Sequence, residues 1–190
     1  MDRIVANPAP TFAGQAAFNG EIINVKLEDY KGKWLYLFFY PLDFTFVCPT
    51  ELTAMSDAAS KFKEVNCEIL GISVDSVHTH LAYMRTPRAD AGLGPMNYPL
   101  YADLGGKVAD AYGVLRGDRA LRGAFLIDPN GMIQHATINN LSVGRKVDEL
   151  LRVVKAFQYT IEHGEVCPAN WEDGSAGMEE SLAGVKKTIG

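Results

Sequence analysis

The sequence predicts an α/β fold with a central mixed sheet flanked by helices. Three observations predict it. Trp34–Tyr40 (WLYLFFY) and Cys67–Val74 (CEILGISV) are short apolar runs that read as strands buried on both faces. Stretches of helical spacing alternate with these runs. Later in the chain, Ala124–Asp128 and Met132–Ile138 flank Pro129-Asn130-Gly131, a strong turn signal, so these two strands read as an antiparallel hairpin.

Taken in order, Glu21–Leu27 alternates weakly and runs into a turn at Lys31-Gly32-Lys33. Pro41 ends the first buried run. From Thr50 the period changes, and Leu52, Met55, Ala59, Phe62 and Val65 fall at helical spacing. After the second buried run come a short helix, Val77–Arg85, and a loop, Thr86–Asn97, rich in proline, glycine and charge. Lys107–Tyr112 makes a helical turn or two before Gly113. Val147, Leu150, Leu151, Val154, Phe157 and Ile161 trace the clearest amphipathic helix. Asp148 and Glu149 suit its N-terminal end, and Gly164 fits the position just past its C-terminus. Glu165–Gly190 is polar, glycine-rich and weakly periodic. The chain therefore divides into a domain over 1–164 and a C-terminal arm over 165–190.

Composition narrows the function. The 190 residues are 47% hydrophobic and 22% charged, enough for one domain with a sizeable core. A net charge of −5 without a basic block argues against a nucleic-acid partner. No apolar run approaches the roughly 20 residues of a membrane span. The N-terminal MDRIVANPAPTF has no apolar core of a signal peptide. Three cysteines, an odd number, argue against a secreted disulfide framework and for a reducing cytoplasm.

The chemistry centres on Tyr40–Leu52, YPLDFTFVCPTEL. Cys48 falls between a buried strand and a helix, near the first turn, where unpaired N–H groups and the helix dipole favour an anion. A thiol there tends toward thiolate, the reactive form. Pro41 and Pro49 stiffen the turn. The Thr45 hydroxyl, three residues before, can bond the sulfur or an incoming oxygen. On position alone, a buried structural cysteine is an equal alternative. Glu51 stands where a Cys-x-x-Cys motif would place its second cysteine, and by itself reads as a first-turn carboxylate. Arg122 by itself reads as a surface arginine in a loop. Arg145 stands near a helix start, where a cation is locally unfavourable, which suggests a tertiary role. Cys67 lies in an apolar strand and reads as structural. Cys167, in Val166-Cys167-Pro168, reads alone as an exposed thiol. The cysteines lack metal-ligand spacing, and His78 and His80 point to nearly opposite sides of a helix. Gly92-Leu93-Gly94 and Gly105-Gly106 make no phosphate-binding pattern. No bound metal, nicotinamide or flavin is expected, so electrons come from another protein.

Pro41-x-x-x-Thr45-x-x-Cys48 matches the signature of the peroxiredoxins. FFYPLDFTFVCPTEL resembles the typical two-cysteine subgroup, which includes the peroxidase component of bacterial alkyl hydroperoxide reductase. The likeness runs from about Ala9 to Trp171. It takes in Ile72–Ser76, Gly92–Leu100, Tyr112–Leu115, Arg122–Gly131 and Gly164–Pro168. The resemblance implies a thioredoxin-like fold and thiol-dependent reduction of hydrogen peroxide and organic hydroperoxides. It implies that Cys48 is the peroxidatic cysteine, shielded by Pro41, with Thr45 bonding the peroxide oxygens. Arg122 corresponds to the active-site arginine, Glu51 to the glutamate that orients it, and Arg145 is a second basic candidate.

GEVCP further implies that Cys167 is a resolving cysteine, reaching the partner subunit's Cys48 from the arm of a two-fold dimer. The subgroup's habit is a ring of five dimers, with contacts near Phe44 and Val77–His80. Recycling falls to thioredoxin or to a flavoprotein disulfide reductase. Sensitive members carry Gly-Gly-Leu-Gly and a C-terminal Tyr-Phe pair. Here the loop reads Ala91-Gly92-Leu93-Gly94 and the tail lacks the pair, so a robust, bacterial-type enzyme is expected. Two other readings are a thioredoxin-type disulfide oxidoreductase, which Glu51 disfavours, and a holdase chaperone.

Overall fold

The computed structural model describes residues 4–190. They form two compact units, the first ending at Val147 and the second Asp148–Gly190.

The first unit is built on a seven-stranded mixed sheet. β1 (Ala13–Phe18) and β2 (Glu21–Lys26) pair as an antiparallel hairpin. Asn19 and Gly20 turn it with φ of 50° and 80°, the left-handed backbone that a tight hairpin loop requires. The sequence reading starts its strands at Glu21 and misses β1. Ala16 and Ala17 are fully buried but small, so no hydrophobic alternation marks the strand. The Asn-Gly pair was the usable signal. A 3-10 turn, Leu27–Tyr30, leads to β3 (Trp34–Phe39), in which every residue is buried.

Two helices, α1 (Cys48–Asp57) and α2 (Ala59–Glu64), replace the single helix expected from Thr50 onward. Ala58 separates them, with ψ of −3°. The start moves back to Cys48 because Pro49 fits a first turn, where its missing N–H is not needed. β4 (Cys67–Ser73) follows, then α3 (Val77–Arg85), whose cap Ser76 accepts from the Thr79 amide at 3.2 Å. The remaining elements are β5 (Leu100–Ala102), α4 (Lys107–Ala111), the β6–β7 pair (Leu115–Arg116, Arg119–Ala120), β8 (Arg122–Ile127) and β9 (Ile133–Asn139).

The strand order is β2-β1-β5-β4-β3-β8-β9, with β3 parallel to β4 and antiparallel to β8. Leu35, Leu37 and Phe39 pack on one face of β3 with Phe12, Tyr101, Tyr112 and Phe125. On the other face Tyr36 meets Phe62, and Phe38 meets Tyr98, both edge to face. This topology sets the place of the site. The chain leaves β3 at its carboxyl end and turns into α1. Antiparallel pairing of Phe38 with Ala124 brings the start of β8 to that same edge. Pairing of Arg122 with Asn139 brings the end of β9 there too.

From Asp148 onward α5 (Val147–His163) belongs to the second unit; it is closed by Gly164 at φ 66°, whose amide donates to the Thr160 carbonyl at 3.1 Å. The helix and its glycine stop follow the sequence reading. The expected boundary at 164/165 falls inside this unit, because α5 groups with the arm. Val166 and Met178 exchange backbone hydrogen bonds of 2.9 and 2.8 Å, folding the arm on itself. It ends in α6 (Leu182–Ile189), capped by Ser181, whose Oγ accepts from the Gly184 amide at 3.0 Å. The sequence reading assigns no helix to this tail. Eight residues with large apolar positions at Leu182, Val185 and Ile189 are too short a pattern to stand out beside the glycines. Among the described residues no helix is long and apolar enough to cross a membrane.

Candidate active site

Cys48 is the first residue of α1 and is fully buried. Arg122 Nη1 donates toward its sulfur at 3.5 Å. The same nitrogen donates to Glu51 Oε2 at 2.5 Å, and Arg122 Nε donates to the Leu141 carbonyl at 2.8 Å. Arg122 is thus a buried residue of β8, not the surface loop arginine that its own sequence context suggests. Its partner, Glu51, is one helical turn past Cys48 but 71 residues earlier in sequence, so no local pattern could reveal it.

Arg145 completes the cluster. Its backbone N and its Nε each donate to Glu51 Oε1 at 2.8 Å. Its Nη1 donates to the carbonyls of Phe39 and Gly123 at 2.9 and 2.7 Å, and its guanidinium carbon lies 5.0 Å from the Phe38 ring centroid. Neighbouring Gly144 permits this approach. A Cβ there would stand 3.3 Å from Val47 Cγ1 and 3.4 Å from Glu51 Cγ, so a larger residue would press the loop off the helix start. The two arginines and Glu51 are nearly solvent-free, with side chains 4 to 6% exposed. Two cations and one carboxylate leave one positive charge buried beside the sulfur.

The loop from Tyr40 to Val47 carries the other expected residues. Pro41 is buried, and Thr45 Oγ1 donates to the Leu42 carbonyl at 2.8 Å, which holds the loop's curve. Phe44 has φ of 51°, unusual for a bulky residue, and its ring packs on Tyr83 at 4.3 Å between centroids. A buried network fixes this shape. Tyr40 donates to Asp43 Oδ1 at 2.7 Å, and His80 Nδ1 lies 2.7 Å from Asp43 Oδ2. The Asp43 amide donates to Asp75 Oδ2 at 2.9 Å. His80 is wholly buried and His78 exposed, which fits their opposite faces on α3. The sequence reading weighs these histidines only as metal ligands and misses the Tyr40–Asp43–His80 network. Phe46, two residues before Cys48, is 94% exposed.

All three cysteines are free thiols. Cys67 is buried in β4, donates to the Glu68 carbonyl at 3.6 Å, and is pushed up to about 12 by burial. Cys167 belongs to the second unit. Its thiol donates to the Ala156 carbonyl at 3.6 Å, and burial raises its pKa while nearby Arg152 acts in the opposite direction.

Comparison with known proteins addresses the chain as a whole. The model of the AhpC/TSA family matches residues 5–136, and that of the C-terminal domain of 1-Cys peroxiredoxin matches residues 156–189, a span that includes Cys167. Peroxiredoxin-2 of Bos taurus is 59% identical over 173 residues, covering 90% of this chain and 87% of its own. The mitochondrial thioredoxin-dependent peroxide reductase of Homo sapiens is 55% identical over 185 residues, covering 96% of this chain and 72% of its own. The crystal structure of reduced Plasmodium vivax 2-Cys peroxiredoxin superposes with a TM-score of 0.95 at 44% identity, over 98% of each chain. A match across more than half the sequence, relatives this close and a superposition of almost the whole fold have one meaning: the chain belongs to the AhpC/TSA family of peroxiredoxins, and is a thiol-dependent peroxidase with that family's thioredoxin-like fold.

Proposed function

We propose that Cys48 is the peroxidatic cysteine of this enzyme. The observation that carries the assignment is the Arg122 guanidinium 3.5 Å from a buried sulfur at a helix start. A Cys48 thiolate cancels the unbalanced positive charge of the Arg122–Glu51–Arg145 cluster. Its sulfur bonds to the terminal peroxide oxygen to give the sulfenic acid, the O–O bond breaks, and the departing oxygen takes up one proton to leave as water or an alcohol. Arg122 meets the charge that moves onto those oxygens. Glu51 holds Arg122 at the correct angle, and Arg145 holds Glu51. Pro41 keeps water from the sulfur. Thr45, whose own proton is engaged by Leu42, offers its oxygen to accept from the peroxide O–H.

In this reading Cys167 of a partner subunit then condenses with the Cys48 sulfenic acid, releasing water and forming an intersubunit disulfide. The arm over 165–190 serves that exchange. A dithiol protein returns two electrons per cycle. Thioredoxin is the leading donor, supported by the name of the human relative, and a flavoprotein disulfide reductase is the other. The substrates are hydrogen peroxide and organic hydroperoxides. Dimers join as a decamer through the Phe44 loop and the Val77–His80 segment, in which His78 is exposed while Val77 and His80 are buried in the protomer. The proposed location is the cytoplasm, from the odd cysteine count.

The test is non-reducing electrophoresis after one equivalent of peroxide. Wild type is expected to give a covalent dimer that dithiothreitol reverses. A disulfide mapped within one chain, or through Cys67, would sink the scheme.

A further inference from the structure

The second unit contains an arrangement that the peroxide chemistry does not use. On α5, Arg152, Ala156 and Tyr159 stand at i, i+4 and i+7 and share a face. Each holds part of the segment that carries Cys167. The Cys167 thiol donates to the Ala156 carbonyl at 3.6 Å. Arg152 Nη1 donates to the carbonyl of Trp171, four residues on, at 2.8 Å. Tyr159 accepts from the Gly177 amide at 2.8 Å, and its ring lies 5.2 Å from that of Trp171. Lys155 adds an exposed bond to Asp173. Trp171 itself is buried, with its indole N–H donated to the Ser175 carbonyl at 3.1 Å.

In this docked position the thiol is a poor nucleophile. Its S–H points into a carbonyl, an oxygen that accepts a proton's hydrogen bond but repels a thiolate. The nearby cation Arg152 has its charge shared. Arg152 Nε and Nη2 grip Glu149 at 2.6 and 2.8 Å, and Glu172 acts on it as well. Arg152 is therefore better placed to hold the segment than to activate the sulfur.

We propose that Arg152 is a positioning residue for the second half of the cycle. Its bond to the Trp171 carbonyl latches the Cys167 segment on α5 and keeps that thiol out of reaction until the latch opens. The inference rests on Cys167 being the resolving cysteine. Once the latch opens, the Cys167 thiolate attacks the sulfenic sulfur of Cys48. The S–S bond forms, the S–O bond breaks, and hydroxide leaves with the thiol's proton as water. No outside oxidant or reductant takes part.

The experiment has two arms. In a Cys48→Ser background, iodoacetamide labels Cys167 at pH 7.5, and mass spectrometry follows its rate. Arg152→Met is expected to label about tenfold faster than its parent, the size expected for loss of a hydrogen bond from a charged donor. Arg152→Lys is expected to fall between the two, because an ammonium reaches one carbonyl but lacks the fork that also grips Glu149. Unchanged or slower labelling in Arg152→Met overturns the latch. Should that variant lose its helical circular dichroism, Arg152→Lys decides alone, and a rate equal to the parent's overturns it.

In the second arm Cys48 is intact, and stopped-flow fluorescence follows disulfide formation after peroxide. Faster formation in Arg152→Met supports the latch as a gate. Faster labelling with an unchanged disulfide rate overturns it. If labelling rises but no Cys48–Cys167 disulfide forms in any variant, the assignment of Cys167 fails and the latch contact stands.

Discussion

Arg122 reaches the Cys48 sulfur and the Glu51 carboxylate through the same Nη1, at 3.5 and 2.5 Å. One nitrogen thus ties the Cys48 sulfur to the buried Glu51 carboxylate. Arg122→Met removes the cation at similar length. Glu51 still accepts twice from Arg145, so no carboxylate is left alone in the interior. The expected result is a folded protein whose second-order rate with peroxide falls by at least about a hundredfold. Stopped-flow kinetics with hydrogen peroxide check it, and an unchanged rate would show that the arginine does not serve the sulfur.

Glu51→Gln attacks the other side of the cluster. It keeps the shape but leaves two buried guanidinium groups without a counter-charge. Removing one partner of a buried ion pair costs roughly 3 to 5 kcal/mol. The Leu141, Phe39 and Gly123 carbonyls still accept from the two arginines, so a loss near about 3 kcal/mol is expected. Urea unfolding should show a lower midpoint at unchanged slope. A midpoint within error of wild type would mean that those carbonyls suffice.

The proposed cycle separates the cysteines by role. Cys48→Ser should abolish turnover. Cys167→Ser should consume about one equivalent of peroxide and then fail to recycle with thioredoxin, because sulfenic acid forms without its partner thiol. Cys67→Ser should keep most activity. A peroxide-consumption assay on the three variants distinguishes them, and full recycling by Cys167→Ser would remove that residue from the cycle.

Much of this fold is written in local pattern. The WLYLFF run of β3, the Pro129-Asn130-Gly131 turn and the apolar stripe of α5 ending at Gly164 each follow from composition and period. What escapes is either too small or too distant. Ala16 and Ala17 bury little, so β1 shows no hydrophobic alternation and only the Asn19-Gly20 turn marks it, and α6 is only eight residues long. In the candidate site, the peroxiredoxin signature points to Pro41, Thr45 and Cys48. The burial of Arg122 and Arg145 depends on Glu51, 71 and 94 residues away. The Asp43–His80 contact spans 37 residues and has no sequence mark at all.

Cys67 gives the chain a pH dependence. Burial pushes its thiol up to about 12, against about 8.5 for a free cysteine. Below about pH 8.5 both folded and unfolded chains keep this proton, and the group's contribution is fully present. Above it the unfolded chain loses the proton while the folded chain retains it. Stability then falls by up to about 1.4 kcal/mol per pH unit until the folded thiol ionises. The window to measure is about pH 8.5 to 10, before the buried tyrosines add their own effect. Urea unfolding under reducing conditions should show wild type losing stability faster than Cys67→Ala across that window. Parallel pH profiles would mean that Cys67 ionises alike in both states.

The balance between resolution and overoxidation depends on how easily α1 releases Cys48. Cys48 is fully buried, so in the proposed cycle the start of α1 unwinds before another subunit's thiol reaches it. In sensitive relatives a Tyr-Phe pair on an added C-terminal helix slows that step. This chain does have a C-terminal helix, α6, but its large apolar residues are all aliphatic, and Leu182 and Ile189 are 83% and 80% exposed in the protomer. Aromatic side chains bury far more area than these and dominate such contacts. The loop at Ala91–Gly94 has alanine where sensitive members have the first glycine, and Ala91 holds φ of 61° there without a glycine's freedom. Unwinding should therefore be easy and capture by Cys167 fast. A second peroxide competes with that capture in proportion to its concentration. The enzyme is expected to keep cycling at peroxide levels that inactivate sensitive members. Mass spectrometry of Cys48 during turnover with thioredoxin, its reductase and graded hydrogen peroxide makes the measurement. Substantial sulfinic acid at micromolar peroxide would defeat the idea and would assign the brake to the aliphatic face of α6.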